Sequence, residues 1–100
     1  MQAVLDAMVE PRRREILRLV RSAELTAGAI AAHFPDVARP TVSQHLRVLR
    51  DAGLVSERRE GTRRFYRSRP EAFVPLVAFI EDFWDQKLAA LKRVVEEEPS

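Results

Sequence analysis

The hydrophobic spacing of this 100-residue chain changes at Gly53, and this change restricts the possible folds more than any other feature. Before Gly53, apolar residues recur every three or four positions, at Val42, Leu46 and Leu49, which predicts the buried side of an amphipathic helix. After it, residues 54–68 are rich in β-forming side chains. A glycine at such a boundary suits the left-handed residue that ends a helix. The sequence therefore predicts a helix followed directly by extended structure.

The extended region has the pattern of a β-hairpin. Its two segments, 54–60 and 63–68, are separated by Gly61-Thr62, although Glu60-Gly61 is an alternative turn centre. The residues around the turn are dense in arginine, namely Arg58, Arg59, Arg63, Arg64 and Arg67. A protruding two-stranded ribbon of this kind can lay cationic side chains along phosphates or into a minor groove of DNA.

Upstream of the hairpin, residues 26–52 have the pattern of helix, tight turn, helix. Thr26 is a good N-cap for the first of these two helices, and Pro35 ends it. Arg39 and Pro40 open the second. Two earlier helices are predicted at Ala3 to Met8 and at Pro11 to about Ala23.

The C-terminal part, after a turn at Pro70–Phe73, is predicted to be one long helix over 75–97, because Pro75 disfavours a helical Val74. It carries more apolar residues than one buried stripe needs, so it is expected to meet a second copy of the chain. The predicted dimer interface combines the first and last helices: Val4, Leu5, Met8, Phe79, Ile80, Phe83, Trp84, Leu88 and Leu91.

The helix before Gly53 is predicted to present a polar face opposite its buried side. Glutamine, serine and arginine can bond to base edges, and arginine also holds phosphate. The predicted DNA-contacting residues of this helix and of the hairpin are Arg39, Pro40, Thr41, Ser43, Gln44, Arg47, Arg58, Arg59, Arg63 and Arg64. The run Arg12-Arg13-Arg14 has two interpretations, a DNA contact or a solvated, ion-paired face.

Charge is distributed unevenly along the chain. Residues 36–69 carry nine basic and four acidic side chains, a net +5, whereas residues 70–100 carry three basic and seven acidic, a net −4. A basic centre indicates binding to a polyanion, and double-stranded DNA fits it. A winged-helix module that binds an acidic protein partner is the alternative.

Several classes of function are not supported by the sequence. There is no cysteine, which excludes disulfides and thiolate chemistry, and the two histidines do not make a metal site by themselves. His33 is expected to cap its helix, and His45 to be half-buried with a bond to a neighbouring backbone group. No phosphate-binding loop or nucleophile motif is present, so neither an enzyme nor a cofactor is predicted. No segment reads as a signal peptide or a membrane span, which predicts a cytoplasmic protein without membrane contact.

These motifs together resemble one known family. Residues 40–55, PTVSQHLRVLRDAGLV, closely resemble the recognition-helix signature of ArsR-type (ArsR/SmtB) winged-helix transcriptional repressors. Leu5-Asp6-Ala7 and Glu10 to Leu17 are similar to the N-terminal motif of that family, and Arg58 to Tyr66 is similar to its wing. The likeness covers roughly residues 3–95.

The resemblance implies one mainly α domain over 1–100, a winged helix-turn-helix with five helices and a two-stranded wing over 54–68. It also implies a homodimeric repressor of transcription that binds an inverted-repeat operator and is released by an inducer. The metal-sensing members use cysteines near the third or fourth helix, or Asp/His and His/Glu pairs on the last helix. This sequence has no cysteine and no histidine after His45, so an unknown non-metal inducer is expected. A second departure is Ala38, where the family often has a capping residue.

Overall fold

The structure is a computed structural model that describes residues 1–97, without the side chain of Leu88. Within these residues it has five α-helices and one small antiparallel sheet, which confirms the predicted fold class. The elements in chain order are α1 (Gln2–Met8), α2 (Pro11–Leu19), β1 (Leu25–Thr26), α3 (Ala27–Ala32), α4 (Arg39–Asp51), β2 (Val55–Glu60), β3 (Arg63–Ser68), a 3-10 turn (Pro70–Phe73) and α5 (Val74–Glu97).

The start of α3 and the end of α4 follow the predicted local chemistry, and the end of α2 is an exception. The Thr26 hydroxyl accepts a hydrogen bond from the Ala29 amide at 3.0 Å and so caps α3. Gly53 has a φ of +77° after the end of α4, as a left-handed cap requires. The exception is α2, which ends at Leu19 and not near Ala23. Val20 leaves the helical region because its carbonyl accepts a hydrogen bond from the Ser68 amide at 3.1 Å, which ties the end of α2 to the sheet.

The sheet has three strands in the order β1–β3–β2, one more than the predicted hairpin. The extra strand, β1, pairs Leu25 with Tyr66 and Thr26 with Phe65. Two residues are too few to show the alternation that identifies a strand in a sequence. In the hairpin Glu60 pairs with Arg63, so Gly61-Thr62 is the turn, with Gly61 at a φ of +61°.

The hydrophobic core lies where α1, α2, α3 and α4 meet the base of the sheet. Its largest fully buried side chains are Ile16, Val20, Ile30, Leu49, Leu54 and Val55. Burying a side chain of this size contributes about 1.5–3 kcal/mol. Because Val42, Leu46 and Leu49 are all part of this core, the rotation of α4 is fixed and its polar face must point outward.

Helix α5 leaves this core after its first turn. Val74 is helical, with φ −53° and ψ −48°, although Pro75 follows it, because the preceding 3-10 turn leads directly into the helix. Phe73 and Leu76 pack on the core, whereas the apolar side chains described from Val77 onward are exposed. None of the helices within residues 1–97 has the length and apolar character needed to cross a membrane.

Candidate nucleic-acid interface

Helix α4 presents the polar face that the sequence predicted. The side chains of the six residues predicted on this helix are all exposed: Arg39, Pro40, Thr41, Ser43, Gln44 and Arg47. Pro40 lies in the first turn, where its missing N–H is not needed. The exposed face of α4 therefore combines an amide, two hydroxyls and two guanidinium groups, which are the groups that read base edges in the major groove and bind the flanking phosphates.

The register of the hairpin separates the wing arginines into two sets. Arg59 pairs with Arg64 on the face that carries Glu57 and Tyr66. Arg58 pairs with Phe65 on the opposite face, because successive residues of a strand point to opposite sides. The two sets therefore have different surroundings.

Arg58 is held by interactions within the chain. Its guanidinium contacts Glu24 at 2.7 Å and Glu60 at 2.8 Å, and lies 4.5 Å from the centre of the Phe65 ring. The hydrogen bond from Arg58 also lowers the pKa of Glu24, so that carboxylate stays charged. Arg58 thus fastens the wing to the loop before β1, and its DNA contact stays a prediction.

A groove between α4 and the wing collects the other set of arginines. This helix–wing groove encloses about 380 Å³ and is lined by Ala27, Ser43, Leu46, Arg47, Arg50, Arg59, Arg64 and Tyr66. Four guanidinium groups in one concave surface create a positive potential that favours an anion such as a backbone phosphate. The structure thus brings Ser43 and Arg47 of the predicted helix set beside Arg59 and Arg64 of the predicted wing set.

One carboxylate, that of Glu57, organises the groove. Glu57 is only 11% exposed, and its side chain accepts a hydrogen bond from Arg50 at 2.8 Å. Its other oxygen lies 3.6 Å from Arg59 Nε and 3.7 Å from Arg64 Nε. The hydrogen bond from Arg50 holds the pKa of Glu57 below its ordinary value despite partial burial. One charged carboxylate therefore links α4 to both strands of the wing.

A second concave surface lies on the other side of Arg64. This α3–wing cleft encloses about 560 Å³ and is lined by residues 26–29, Arg39, Thr62, Arg63 and Arg64. Arg63 and Arg39 come from the wing tip and from the first turn of α4, respectively. Arg64 borders both surfaces, so the cationic region is continuous from the wing tip to the middle of α4.

Arg50 and Glu57 belong to this site although they are not among the residues predicted for it. Arg50 lies three positions after Arg47, so its helical spacing places it on the same flank of α4. That spacing was the available signal. The position of Glu57 between three arginines depends on how the wing folds back against α4, which no local pattern reveals.

The arginines at the start of α2 have an intramolecular role. Arg13 donates from Nε to the Ala7 carbonyl at 2.7 Å and from Nη2 to the Asp6 carbonyl at 3.1 Å. Arg14 donates to the carbonyls of Met8 and Val9. Cations suit these positions because the last carbonyls of a helix have no partner within it. The two arginines thus attach α2 to the C-terminal end of α1.

His45 is more deeply buried than expected, at 9% exposed. Its partner is not a backbone group, as predicted, but Arg13, whose Nη1 lies 3.3 Å from Nδ1 of the ring. Burial is the main reason that the pKa of His45 is below its ordinary value. Long-range packing of α4 against α2 decided this contact, so the sequence of α4 alone could not identify it. His33 lies at the C-terminal cap of α3 and is exposed.

The residues predicted for the dimer interface have three kinds of surroundings. The side chains of Phe79, Ile80, Phe83, Trp84 and Leu91 on α5 are between 47% and 61% exposed. Leu5 is exposed and Met8 half-buried, whereas Val4 is buried in the core of its own chain and offers little surface. The side chain of Leu88 lies outside the described part of the structure. Among the described residues there is no cluster of histidine, cysteine, aspartate or glutamate that could hold a metal ion.

Comparisons with known proteins agree with this geometry. The sequence profile of a family described as "Bacterial regulatory protein, arsR family" matches residues 10–57. The HTH-type transcriptional regulator Rv2034 of Mycobacterium tuberculosis is 36% identical over 93 residues, which are 93% of this chain and 86% of that protein. The transcriptional repressor SdpR of Bacillus subtilis is 39% identical over 66 residues, 66% of this chain and 72% of that protein.

A solved structure extends the comparison to the fold. The homodimeric winged helix-turn-helix DNA-binding domain of Mb0332 from Mycobacterium bovis, determined by solution NMR, is 35% identical. The two structures superpose with a TM-score of 0.65, and the match covers 85% of this chain and 78% of the Mb0332 domain.

A helix-turn-helix whose second helix exposes amide and guanidinium groups beside an arginine-lined wing defines a winged helix-turn-helix DNA-binding domain. With the relatives above, this chain belongs to the ArsR family of bacterial regulatory proteins. It is a DNA-binding transcriptional regulator, and this decides against the alternative of a module that binds an acidic protein.

Proposed function

We propose that the chain is a homodimeric repressor that binds an inverted-repeat operator in double-stranded DNA. The observation that carries this proposal is the continuous cationic surface formed by the exposed face of α4, the helix–wing groove and the α3–wing cleft. A surface of this kind suits a duplex because it offers groups for base edges and for phosphates side by side. The location that follows is the bacterial cytoplasm, associated with the nucleoid when bound to DNA.

The roles within this surface divide between base readout and phosphate contact. Ser43 and Gln44 are exposed in the N-terminal half of α4, where short polar and amide side chains can reach base edges. Arg39, Pro40, Thr41 and Arg47 flank them. Arg59, Arg63 and Arg64 line the two concave surfaces, where a phosphate group is the natural ligand. Arg58, whose charge is already paired, supports the wing.

Repression and dimer formation have separate support. The relative SdpR is a repressor, and the structurally similar domain of Mb0332 is homodimeric. A two-fold dimer would place two copies of α4 about 34–36 Å apart, one turn of DNA, so the operator would be an inverted repeat. The absence of cysteine from the sequence supports a non-metal inducer, and no catalytic function is proposed.

The experiment uses the full chain and an operator selected from a pool of random duplexes. Gln44→Ala and Ser43→Ala should each weaken binding to the selected operator by about 1–3 kcal/mol and change binding to random DNA little. Arg63→Ala and Arg64→Ala should weaken binding to every sequence and reduce the slope of log K against log salt by about 1 each. Fluorescence anisotropy at several salt concentrations measures both effects.

The reverse outcome would contradict this assignment of roles. If Arg63→Ala altered the preferred sequence while Gln44→Ala left it unchanged, the wing would be the element that reads bases. Selection that enriched no sequence, with salt-independent binding, would contradict the proposed function itself.

A further inference from the structure

A cavity on the side of the molecule formed by α2 and the 3-10 turn before α5 is not part of the DNA-binding surface. It encloses about 280 Å³ between the end of α1, α2, the end of β3 and the 3-10 turn. Its lining residues are Met8, Arg14, Leu17, Arg18, Arg21, Ser68, Pro70 and Phe73. The cavity volume is close to the lower limit of about 300 Å³ for small-molecule sites.

The lining combines an apolar wall with a cationic rim. Met8, Leu17, Pro70 and Phe73 provide the wall, together with the aliphatic stems of the arginines. An apolar cavity with a few charged groups is the usual design of a site for a small organic molecule. The cationic rim selects for a negative charge at one end of that molecule.

The three rim arginines differ in how far their charges are already paired. Arg14 donates to the carbonyls of Met8 and Val9, and Arg18 lies 2.9 Å from Glu15. Arg21 is exposed and forms no ion pair with any carboxylate in residues 1–97. One guanidinium at the mouth of the cavity therefore remains available for an anion.

We propose that this cavity binds an organic monocarboxylate with an apolar body, whose carboxylate contacts Arg21 and whose body packs on Leu17 and Phe73. A neutral apolar molecule would gain nothing from Arg21, whose exposed guanidinium would stay hydrated. A phosphorylated or multiply charged ligand would have to place polar groups against the apolar wall, which is costly.

Occupation of the cavity is coupled to DNA binding through the elements that form it. Ser68 is the last residue of the wing strand β3, and its amide donates to the Val20 carbonyl at 3.1 Å. Arg14 joins α2 to the end of α1. Because both residues line the cavity, a ligand inside it changes the position of the wing relative to the helices predicted to form the dimer, and this changes DNA affinity. This coupling rests on the proposed function, whereas ligand binding itself does not.

The probes are octanoate, 1-octanol and acetate, titrated calorimetrically into the full chain without DNA. Octanoate is expected to bind saturably, with one molecule per chain, and more tightly than 1-octanol, whereas acetate should not bind measurably. Arg21→Gln should weaken octanoate binding about fivefold, as expected for one exposed charge pair, and leave 1-octanol binding unchanged. The matched control is Arg12→Gln, which removes an exposed guanidinium of α2, the helix that precedes Arg21, outside the cavity.

Two outcomes would overturn the site. Equal octanoate affinity in Arg21→Gln and Arg12→Gln would show that the carboxylate does not contact Arg21. No saturable binding would mean that a second copy of the chain, or solvent alone, occupies the cavity. Thermal unfolding of each variant checks that folding is retained.

The coupling has its own readout, which is the affinity for the selected operator with and without saturating octanoate. A change of threefold or more that needs about fivefold more octanoate in Arg21→Gln supports coupling, and an unchanged affinity in wild type overturns it. Failure of the proposed function is distinguishable, because DNA binding would then be absent without octanoate as well.

Discussion

At the scale of single residues, Glu57 places a negative charge in a surface that otherwise attracts DNA. Its carboxylate holds Arg50 on α4 and lies near two wing arginines. We expect Glu57→Gln to strengthen binding to random DNA and to steepen its salt dependence, because a repulsive charge is removed. Discrimination between operator and random DNA should fall, because α4 and the wing are no longer fixed to each other. Fluorescence anisotropy titrations with both duplexes measure the ratio of the affinity for the operator to the affinity for random DNA.

Glu60→Gln is the matched control for this prediction. Glu60 lies on the same strand and is more exposed, and within residues 1–97 its carboxylate forms an ion pair only with Arg58. Its loss should raise affinity for both duplexes by a similar factor and leave their ratio unchanged. A ratio unchanged in Glu57→Gln as well would show that Glu57 does not position the arginines.

His45 should make folding stability depend on pH in a defined window. Burial, more than the nearby Arg12 and Arg13, lowers its pKa, against an opposite effect of Glu10. The unfolded chain therefore takes up a proton at higher pH than the folded chain does. The stability is fully present above about pH 6.5 and falls as the pH decreases toward the lowered pKa, with a slope of at most about 1.4 kcal/mol per pH unit.

Urea unfolding between pH 7 and pH 5 tests this dependence. His45→Gln should flatten the slope, because it removes the buried imidazole. The pKa of Glu57 is also lowered by folding. Its contribution to stability is therefore lost only when the pH falls below the ordinary pKa of a glutamate, which lies below the window of His45. An identical slope in wild type and His45→Gln would assign the titration to another group.

At the scale of elements, α4 begins without a side-chain cap. Ala38 occupies the N-cap position with φ −61° and ψ 143°, a geometry in which serine can accept a bond from the first turn. We expect Ala38→Ser to raise the free energy of unfolding by about 0.5–1 kcal/mol. Thr26→Ala should have the opposite effect on α3, a loss of about 1 kcal/mol, because it removes an observed cap.

Denaturant unfolding measures both changes from the shift in midpoint at constant m-value. A midpoint for Ala38→Ser at or below that of wild type would show that the first turn of α4 is already satisfied in another way. The cap of α4 matters for function because the first turn of this helix carries Arg39, Pro40 and Thr41.

At the scale of the whole molecule, the exposed apolar side chains of α5 need a surface of a second chain to cover them. Beyond Leu76 it carries Phe79, Phe83 and Trp84 with large exposed areas, and isolated helices are marginally stable in water. Aromatic side chains of this kind bury about 150–250 Å² each when covered. We expect replacement of Phe83 and Trp84 by serine to give a monomer with much weaker operator binding, measured by sedimentation and anisotropy.

Asp85→Asn on the same helix is the control, because it changes charge but not apolar area; it should remain dimeric. A wild-type chain that sediments as a monomer at high micromolar concentration and still binds one isolated half-site tightly would refute the dimer.

The sequence by itself determined the features that depend on neighbouring residues. The spacing of Val42, Leu46 and Leu49 fixed which side of α4 is polar, and Gly53 and Gly61 marked the two places within residues 1–97 where the backbone turns to positive φ. These features follow from periodicity and local sterics, which act over a few residues. The exposed face of α4 and the wing could therefore be predicted residue by residue.

The tertiary structure alone decided which charges pair and which surfaces remain open. It placed Glu57 among arginines from three elements, paired Arg58 with Glu24, brought Arg13 to His45 and buried Val4. It also added β1, which exists only because β3 lies beside it. Such contacts join residues far apart in the chain, as in the pairing of Leu25 with Tyr66, 41 positions later. No local pattern encodes them, because they depend on how the packed core orients the helices and the sheet.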